Sequence, residues 1–227
     1  MNGHEVYEIL REKWVYNLHH ANTLITACTF LRLGGLASRG YVVDHRLPQT
    51  PQYTDNADRK FGIWYDIFLD GIDLHERGKI RNNYGPVLFI IPTTILLNLP
   101  NETEVFVTRK NPSNWVDGEM DEDRYFITPE ELRDGYTYGD FGQHIILRTS
   151  TGILPFNVAQ LNIILDDPQC QLLNGNDAYA NAIQMLQSSA SVSGLNLNIA
   201  KRQCRQGCRC MTGHRYSYDQ IDVNTCF

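Results

Sequence analysis

A chain of 227 residues can bury one sizeable core, and 42% hydrophobic with 20% charged residues is the composition of a folded protein, not a disordered one. A net charge of −6 excludes a global basic field for nucleic acid and leaves only a local patch for that purpose. No run reaches the roughly 18 apolar residues that a membrane helix needs, because PVLFIIPTTILLNLP is broken by Pro92 and two threonines; it predicts a buried strand and its continuation.

The opening residues, MNGHEVYEILREKW, are amphipathic and charged with no apolar signal core, which predicts a cytoplasmic location. Within them EVYEILREKW predicts a short helix with Val6, Ile9, Leu10 and Trp14 on one face. VYNLHH predicts a strand. NTLITACTFLRLGG predicts a helix with Leu24, Cys28 and Leu31 on one face, Asn22 or Thr23 as its cap, and Gly34-Gly35 as its stop. Residues 41–60 hold two prolines and many polar residues without a period, which predicts a long loop of the kind that carries function.

FGIWYDIFLDGIDLHERG is apolar and aromatic, punctuated by carboxylates. YGPVLFIIP predicts a buried strand and EVFVTRK a half-buried one. After the acidic stretch NPSNWVDGEMDEDRYF, ITPEELRDG predicts a short helix with Thr128 as cap, Pro129 at its first position and Glu131 closing a capping box. QHIILRT and LNIILDD predict two strands around the turn-like STGILPF. DAYANAIQMLQSSASVSGL predicts a helix from Asp177 to Gly194, and NLNIAKRQ a last strand.

Strands gathered between helices, without regular βαβ alternation, predict an α+β fold. It would be a single domain over residues 1–200, with a central mixed or antiparallel sheet flanked by helices, followed by a basic, Cys-rich tail over residues 201–227. A dinucleotide-binding Rossmann unit is excluded. GLASRG lacks the GxGxxG spacing and follows a helix, and neither a Walker A sequence nor GxSxG occurs.

Three constellations carry chemistry. The first is His19, His20, Asn22, Thr26, Ser38 and Arg39. An imidazole with an amide three residues on can grip a ribose or a carboxamide, and a guanidinium can meet a phosphate with its planar fork. The competing reading makes one histidine a core residue and leaves the other at the surface. The second is Asp66, Asp70, Asp73 and His75, whose oxygens and imidazole would suit magnesium or manganese in a nuclease if the chain bends at Gly71; a solvated edge is the alternative.

The third is the tail, CRQGCRCMTGHRYSY. Cys204, Cys208, Cys210 and His214 make up a tetrahedral zinc set, with Cys226 as an alternative fourth ligand. Cysteines clustered in a chain read as cytoplasmic favour metal over disulfides. Lys201, Arg202, Arg205, Arg209 and Arg215, interleaved with Tyr216 and Tyr218, form the one basic-aromatic patch. It suits nucleic acid, with a plain solvated surface as the alternative.

H-x-x-N at His19–Asn22, followed by a helix and then GGL-x-S, resembles the opening of DarT-type ADP-ribosyltransferase toxins. The later order is also similar over about residues 14–165: a long loop, the aromatic segment IWYDIF, then the Pro-hydrophobic strand YGPVLF. The resemblance implies an ADP-ribosyltransferase-like domain that uses NAD as substrate and transfers ADP-ribose to a nucleic-acid acceptor, with room for a cognate inhibitor protein. It implies His19 and Asn22 at the nicotinamide-ribose half of NAD, Ser38 and Tyr84 among the NAD contacts, and Arg39 or Arg148 at phosphate.

The chain departs from that pattern where the family carries its catalytic glutamate. FGQHIILRTSTGILPF has none, and Gln143 and His144 stand in that neighbourhood. Gln143 can hydrogen-bond a ribose but supplies no negative charge, and losing such a transition-state partner costs ~10²–10³ in rate. Glu104 or Glu119 could substitute, His144 could act as base, or the chain could bind nucleotide without turnover. The two rivals are the metal-dependent nuclease of Asp66–His75 and a non-catalytic nucleic-acid-binding module.

Overall fold

The computed structural model describes residues 1–52, 54–78, 84–100, 102–203 and 227, with the backbone alone for residues 77 and 78. Its elements run α1 (Gly3–Glu12), β1 (Asn17–Asn22), α2 (Leu24–Leu33), β2 (Gly35–Ala37), α3 (Arg39–Asp44), α4 (Asp55–Lys60), β3 (Ile67–Asp70), α5 (Leu74–Gly78) and β4 (Val87–Pro92). They continue as β5 (Glu104–Val107), α6 (Asp121–Arg124), α7 (Pro129–Gly135), β6 (His144–Arg148), β7 (Ile153–Pro155), β8 (Leu161–Asp167), α8 (Ala178–Ser193) and β9 (Leu197–Gln203).

The fold is α+β. A seven-stranded sheet has the order β5-β6-β3-β1-β4-β8-β9, and β2 pairs with β7 in a small second sheet. Every pair in the large sheet is antiparallel except β8–β9, so the sheet is mixed. That parallel pair needs a crossover, and α8 supplies it. β9 continues through Gln203, so Lys201 and Arg202 belong to the sheet and not to a tail beginning at 201.

Strand alternation sets the core. Leu18, Leu69, Phe89, Ile91, Ile145 and Leu165 share a buried cluster with Leu24 and Leu31 of α2 and Ala182 and Leu186 of α8. Ile63, Trp115, Tyr125 and Ile146 form a smaller cluster, packed by Phe61, Phe68 and Phe106.

Local chemistry explains most element ends. Asn2 and Glu5 close a reciprocal capping box on α1. Gly34 takes the left-handed conformation that stops α2, at φ 71°, and Gly35 begins β2. Asp177 caps α8 through the Ala180 amide, and Gly194 ends it at φ 71°. Thr128 caps α7 through the Glu131 amide, but the Glu131 carboxylate accepts from Ile127 N and Arg109 and not from the cap, so the expected box is open.

Three expectations need correction. Trp14 is not on the buried face of the first helix: α1 stops at Glu12, and Trp14 follows with φ 66° and is 72% exposed. Residues 41–60 are not one loop, because α3 ends and α4 lies within them. STGILPF is more than a turn, since it contains β7.

Candidate functional site

A cleft opens where the sheet is least stitched. β1 and β3 are joined at one register pair, His19↔Asp70, whereas β1 and β4 pair over six positions from Asn17 to Asn22. Beyond that pair the strands part, and the His20 ring spans the gap with Nδ1 2.7 Å from the Phe68 carbonyl oxygen. A carbonyl only accepts, so Nδ1 carries the proton, and Nε2 accepts from Asn22 Nδ2 at 3.2 Å. Asn22 Oδ1 in turn accepts from the Thr23 amide at 3.0 Å. Burial pushes the His20 pKa below the ordinary imidazole value, which keeps this neutral tautomer in place.

The cleft is open at its mouth, with about 960 Å³ of non-atom space, open solvent included, between its walls. Its walls come from β1 (His20, Asn22), β3 (Phe68, Asp70) and β6 (His144), with Arg39 of α3 and Asp58 of α4. Tyr84, Gln52, Thr54 and Ser113 complete a polar rim. Gly85, at φ 127°, lies so close behind β1 that a Cβ on it would sit 2.3 Å from the Asn22 carbonyl oxygen.

Two side-chain pairs organise the walls. His144 Nδ1 meets Asp70 Oδ1 at 2.6 Å. The carboxylate fixes the ring and leaves Nε2 as the nitrogen available to a ligand, the geometry of an oriented general base. Asp66, whose side chain is 1% exposed, accepts a bidentate fork from Arg148 through Nε and Nη2, each at 2.8 Å.

The expected site residues divide by strand parity. His20, not His19, lines the cleft with Asn22. His19 points to the other face of β1, where burial lowers its pKa against the opposing influence of Asp73 and its Nδ1 has no hydrogen-bond partner. His144, not Gln143, lines the cleft at the other strand. Both ends of the Gln143 amide are used elsewhere: Oε1 accepts from Thr137 N at 2.7 Å and Nε2 donates to the Gly135 carbonyl at 3.1 Å.

Ser38 does not line the cleft; its hydroxyl caps α3 by accepting from Tyr41 N. Arg39 does line it, but Nε and Nη2 bind Asp55 and Nη1 donates to the Thr50 carbonyl, so most of its fork is committed. Arg148 is likewise given over to Asp66. The carboxylates named as substitutes for the missing glutamate lie elsewhere. Glu119 pairs with Lys110, and Glu104 is an exposed residue of edge strand β5.

The Asp66–His75 run does not converge. Asp66 goes to Arg148, Asp70 to His144, Asp73 to Arg202, and His75 to Asp166 at 2.9 Å. Among the described residues no group of three or more His, Cys, Asp and Glu side chains is placed to hold a metal ion. Lys201 pairs with Asp167 at 2.7 Å and Arg202 with Asp166 and Asp73, so both cations face carboxylates. Cys204, Cys208, Cys210, His214, Arg205, Arg209 and Tyr216 lie outside the described residues. Among the described residues no helix is long and apolar enough to cross a membrane.

Asp58 is the residue that the sequence reading missed. It is partly buried on the cleft wall, its Oδ2 accepts from Thr54 Oγ1 at 3.4 Å, and burial lifts its pKa from 3.8 to about 6. A signal was there: TDNADRK places two acids in a first turn and Arg59-Lys60 in the last, the charge order a helix macrodipole favours.

No family model matches this sequence, and no curated protein matches it. Among solved structures it is similar to Thermus sp. 2.9 DarT in complex with ADP-ribosylated ssDNA, at 10% identity over 82% of this chain and 95% of that chain, with a TM-score of 0.47.

Proposed function

We propose that this chain binds NAD in the cleft between β1 and β3 and transfers its ADP-ribose to a nucleic-acid acceptor. One observation carries the reading: His20 and Asn22 of β1 and the His144–Asp70 pair line a single cleft. These are the strand and the neighbourhood in which the DarT-type resemblance puts the NAD contacts and the catalytic group, with His20 in place of His19, and with Asn22 and His144 among the residues it named.

The roles follow from the geometry. The neutral His20 ring and the Asn22 amide hold the sugar end of the nucleotide, and Arg39 offers its remaining N–H groups to phosphate. Tyr84 stands on the cleft rim as a further NAD contact. His144 Nε2 takes the acceptor proton while Asp70 stabilises the imidazolium that results. Arg148 holds the buried Asp66 carboxylate and does not touch phosphate. The acceptor assignment rests on the basic-aromatic residues Arg205, Arg209, Arg215, Tyr216 and Tyr218 of the sequence.

The test is incubation of the full chain with labelled NAD and a mixture of DNA, RNA and protein. Label is expected on the nucleic acid, lost in His144→Ala and Asp70→Asn and retained in His19→Ala. Absence of both incorporation and NAD-dependent thermal stabilisation would sink the reading. Stabilisation by manganese alone would point to the nuclease instead, although the scatter of Asp66, Asp70, Asp73 and His75 among four partners speaks against it.

A further inference from the structure

We infer that Asp58 is a catalytic carboxylate of this cleft, the negative charge that faces the cationic ribosyl carbon as nicotinamide departs; the inference rests on the NAD reading above. Among the described residues three carboxylates line the cleft: Asp58, Asp66 and Asp70. Asp66 is neutralised by the Arg148 fork, and Asp70 is occupied in orienting the His144 ring through Nδ1. Among the described residues the Asp58 carboxylate meets only the Thr54 hydroxyl, at a long 3.4 Å.

The charged groups around Asp58 do not change this. Asp55, one turn earlier on α4, is held by Arg39, and the two acids repel. Arg39 is engaged by Asp55 and by the Thr50 carbonyl, and the Arg59 guanidinium stacks on the Trp64 ring at 3.7 Å. Burial, opposed by the Thr54 hydroxyl, therefore leaves the carboxyl with a pKa of about 6. At neutral pH it is charged and poorly solvated. Such a group gains most when a cation forms beside it, because little water has to be rearranged.

The step balances as follows. The glycosidic bond from the ribosyl carbon to the nicotinamide nitrogen breaks, and its electron pair leaves with nicotinamide, which becomes neutral. The sugar carbon takes oxocarbenium character against the Asp58 carboxylate, which forms no bond to it. A lone pair of the acceptor forms the new bond, and the acceptor proton passes to His144 Nε2. The charge that Gln143 cannot supply thus comes from α4, not from the late strand.

Nicotinamide release from NAD by the full chain tests this. Asp58→Asn is expected to slow release by ~10²–10³-fold at pH 7.5 while NAD still raises the melting temperature, and Asp58→Glu to recover part of the rate. The wild-type rate is expected to fall as pH drops through about 6, with that limb absent in Asp58→Asn. His144→Ala is expected to lose acceptor labelling more than nicotinamide release, which separates the two roles. An active wild type whose Asp58→Asn variant releases nicotinamide at the same rate would overturn the inference and leave the NAD reading standing. A wild type that neither binds NAD nor releases nicotinamide would overturn that reading first. Should Asp58→Asn fail to fold, Asp58→Glu decides, and a Glu variant without an acid limb counts against the inference.

Discussion

Arg148→Met removes one side of an ion pair that is buried very unequally. The Asp66 side chain is 1% exposed and the Arg148 side chain 41%. Without the guanidinium, Asp66 remains as an unpaired carboxylate that water hardly reaches. Removing one partner of a fully buried pair costs ~3–5 kcal/mol, and the partial exposure of Arg148 lowers the figure here to ~2–4 kcal/mol. Methionine keeps an aliphatic stem but loses the guanidinium that lies 4.9 Å over the Phe106 ring, so ~0.5–1 kcal/mol of the loss belongs to that contact. Asp66→Asn leaves behind a guanidinium that solvent can hydrate, and should cost only ~1 kcal/mol. The double variant should recover most of the Arg148→Met loss. Urea unfolding checks this, with Arg148→Met lowering the midpoint by about 1–2 M for a slope of ~2 kcal/mol/M. A loss from Asp66→Asn equal to that from Arg148→Met, or losses that simply add, would refute the argument.

Asp58→Asn should stabilise the fold selectively with pH. A folded pKa of about 6 against 3.8 means that the Asp58 contribution to stability is present in full below about 4 and lost as pH rises through 6. The variant should therefore melt as the wild type does near pH 4 but higher at pH 7.5. The full shift would give ~3 kcal/mol; partial exposure reduces this to ~1 kcal/mol, or about 2–4 °C, and an unchanged or lower melting temperature at pH 7.5 contradicts it. Gln143→Ala should cost ~1–3 kcal/mol by stranding the Thr137 amide and the Gly135 carbonyl, yet keep nicotinamide release at temperatures well below melting. Gly85→Ala forces a Cβ to 2.3 Å from the Asn22 carbonyl oxygen at φ 127°. It should lose at least ~2 kcal/mol and weaken the thermal response to NAD, and a full NAD response in a stable variant would show that β1 need not be held in this place.

Much of the frame is legible in the sequence because it rests on strong local signals. The apolar run at Val87–Pro92 could only be buried, and Asp177 and Gly194 bracket α8 with an N-cap and a left-handed stop. The site is less legible, for a physical reason. In a strand, adjacent side chains face opposite ways, so at His19–His20 the residue chosen faces away from the cleft, and of Gln143 and His144, both named, only His144 lines it. No run of one-dimensional text fixes that parity without its register. α3 and α4 are too short to show an apolar period, and α4 buries no residue fully, which hides Asp58. The commitment of Arg39 to Asp55 and of Arg148 to Asp66 joins residues 16 and 82 positions apart, pairings that only the fold creates.

The single rung between β1 and β3 has a mechanical meaning. Beside His19↔Asp70 the facing edges of the two strands share one imidazole in place of a ladder, while a common core beneath joins both sides of the sheet. This seam should therefore loosen locally before either neighbouring ladder does. Amide exchange along it is expected to be faster than in β4, and a bound nucleotide is expected to slow it.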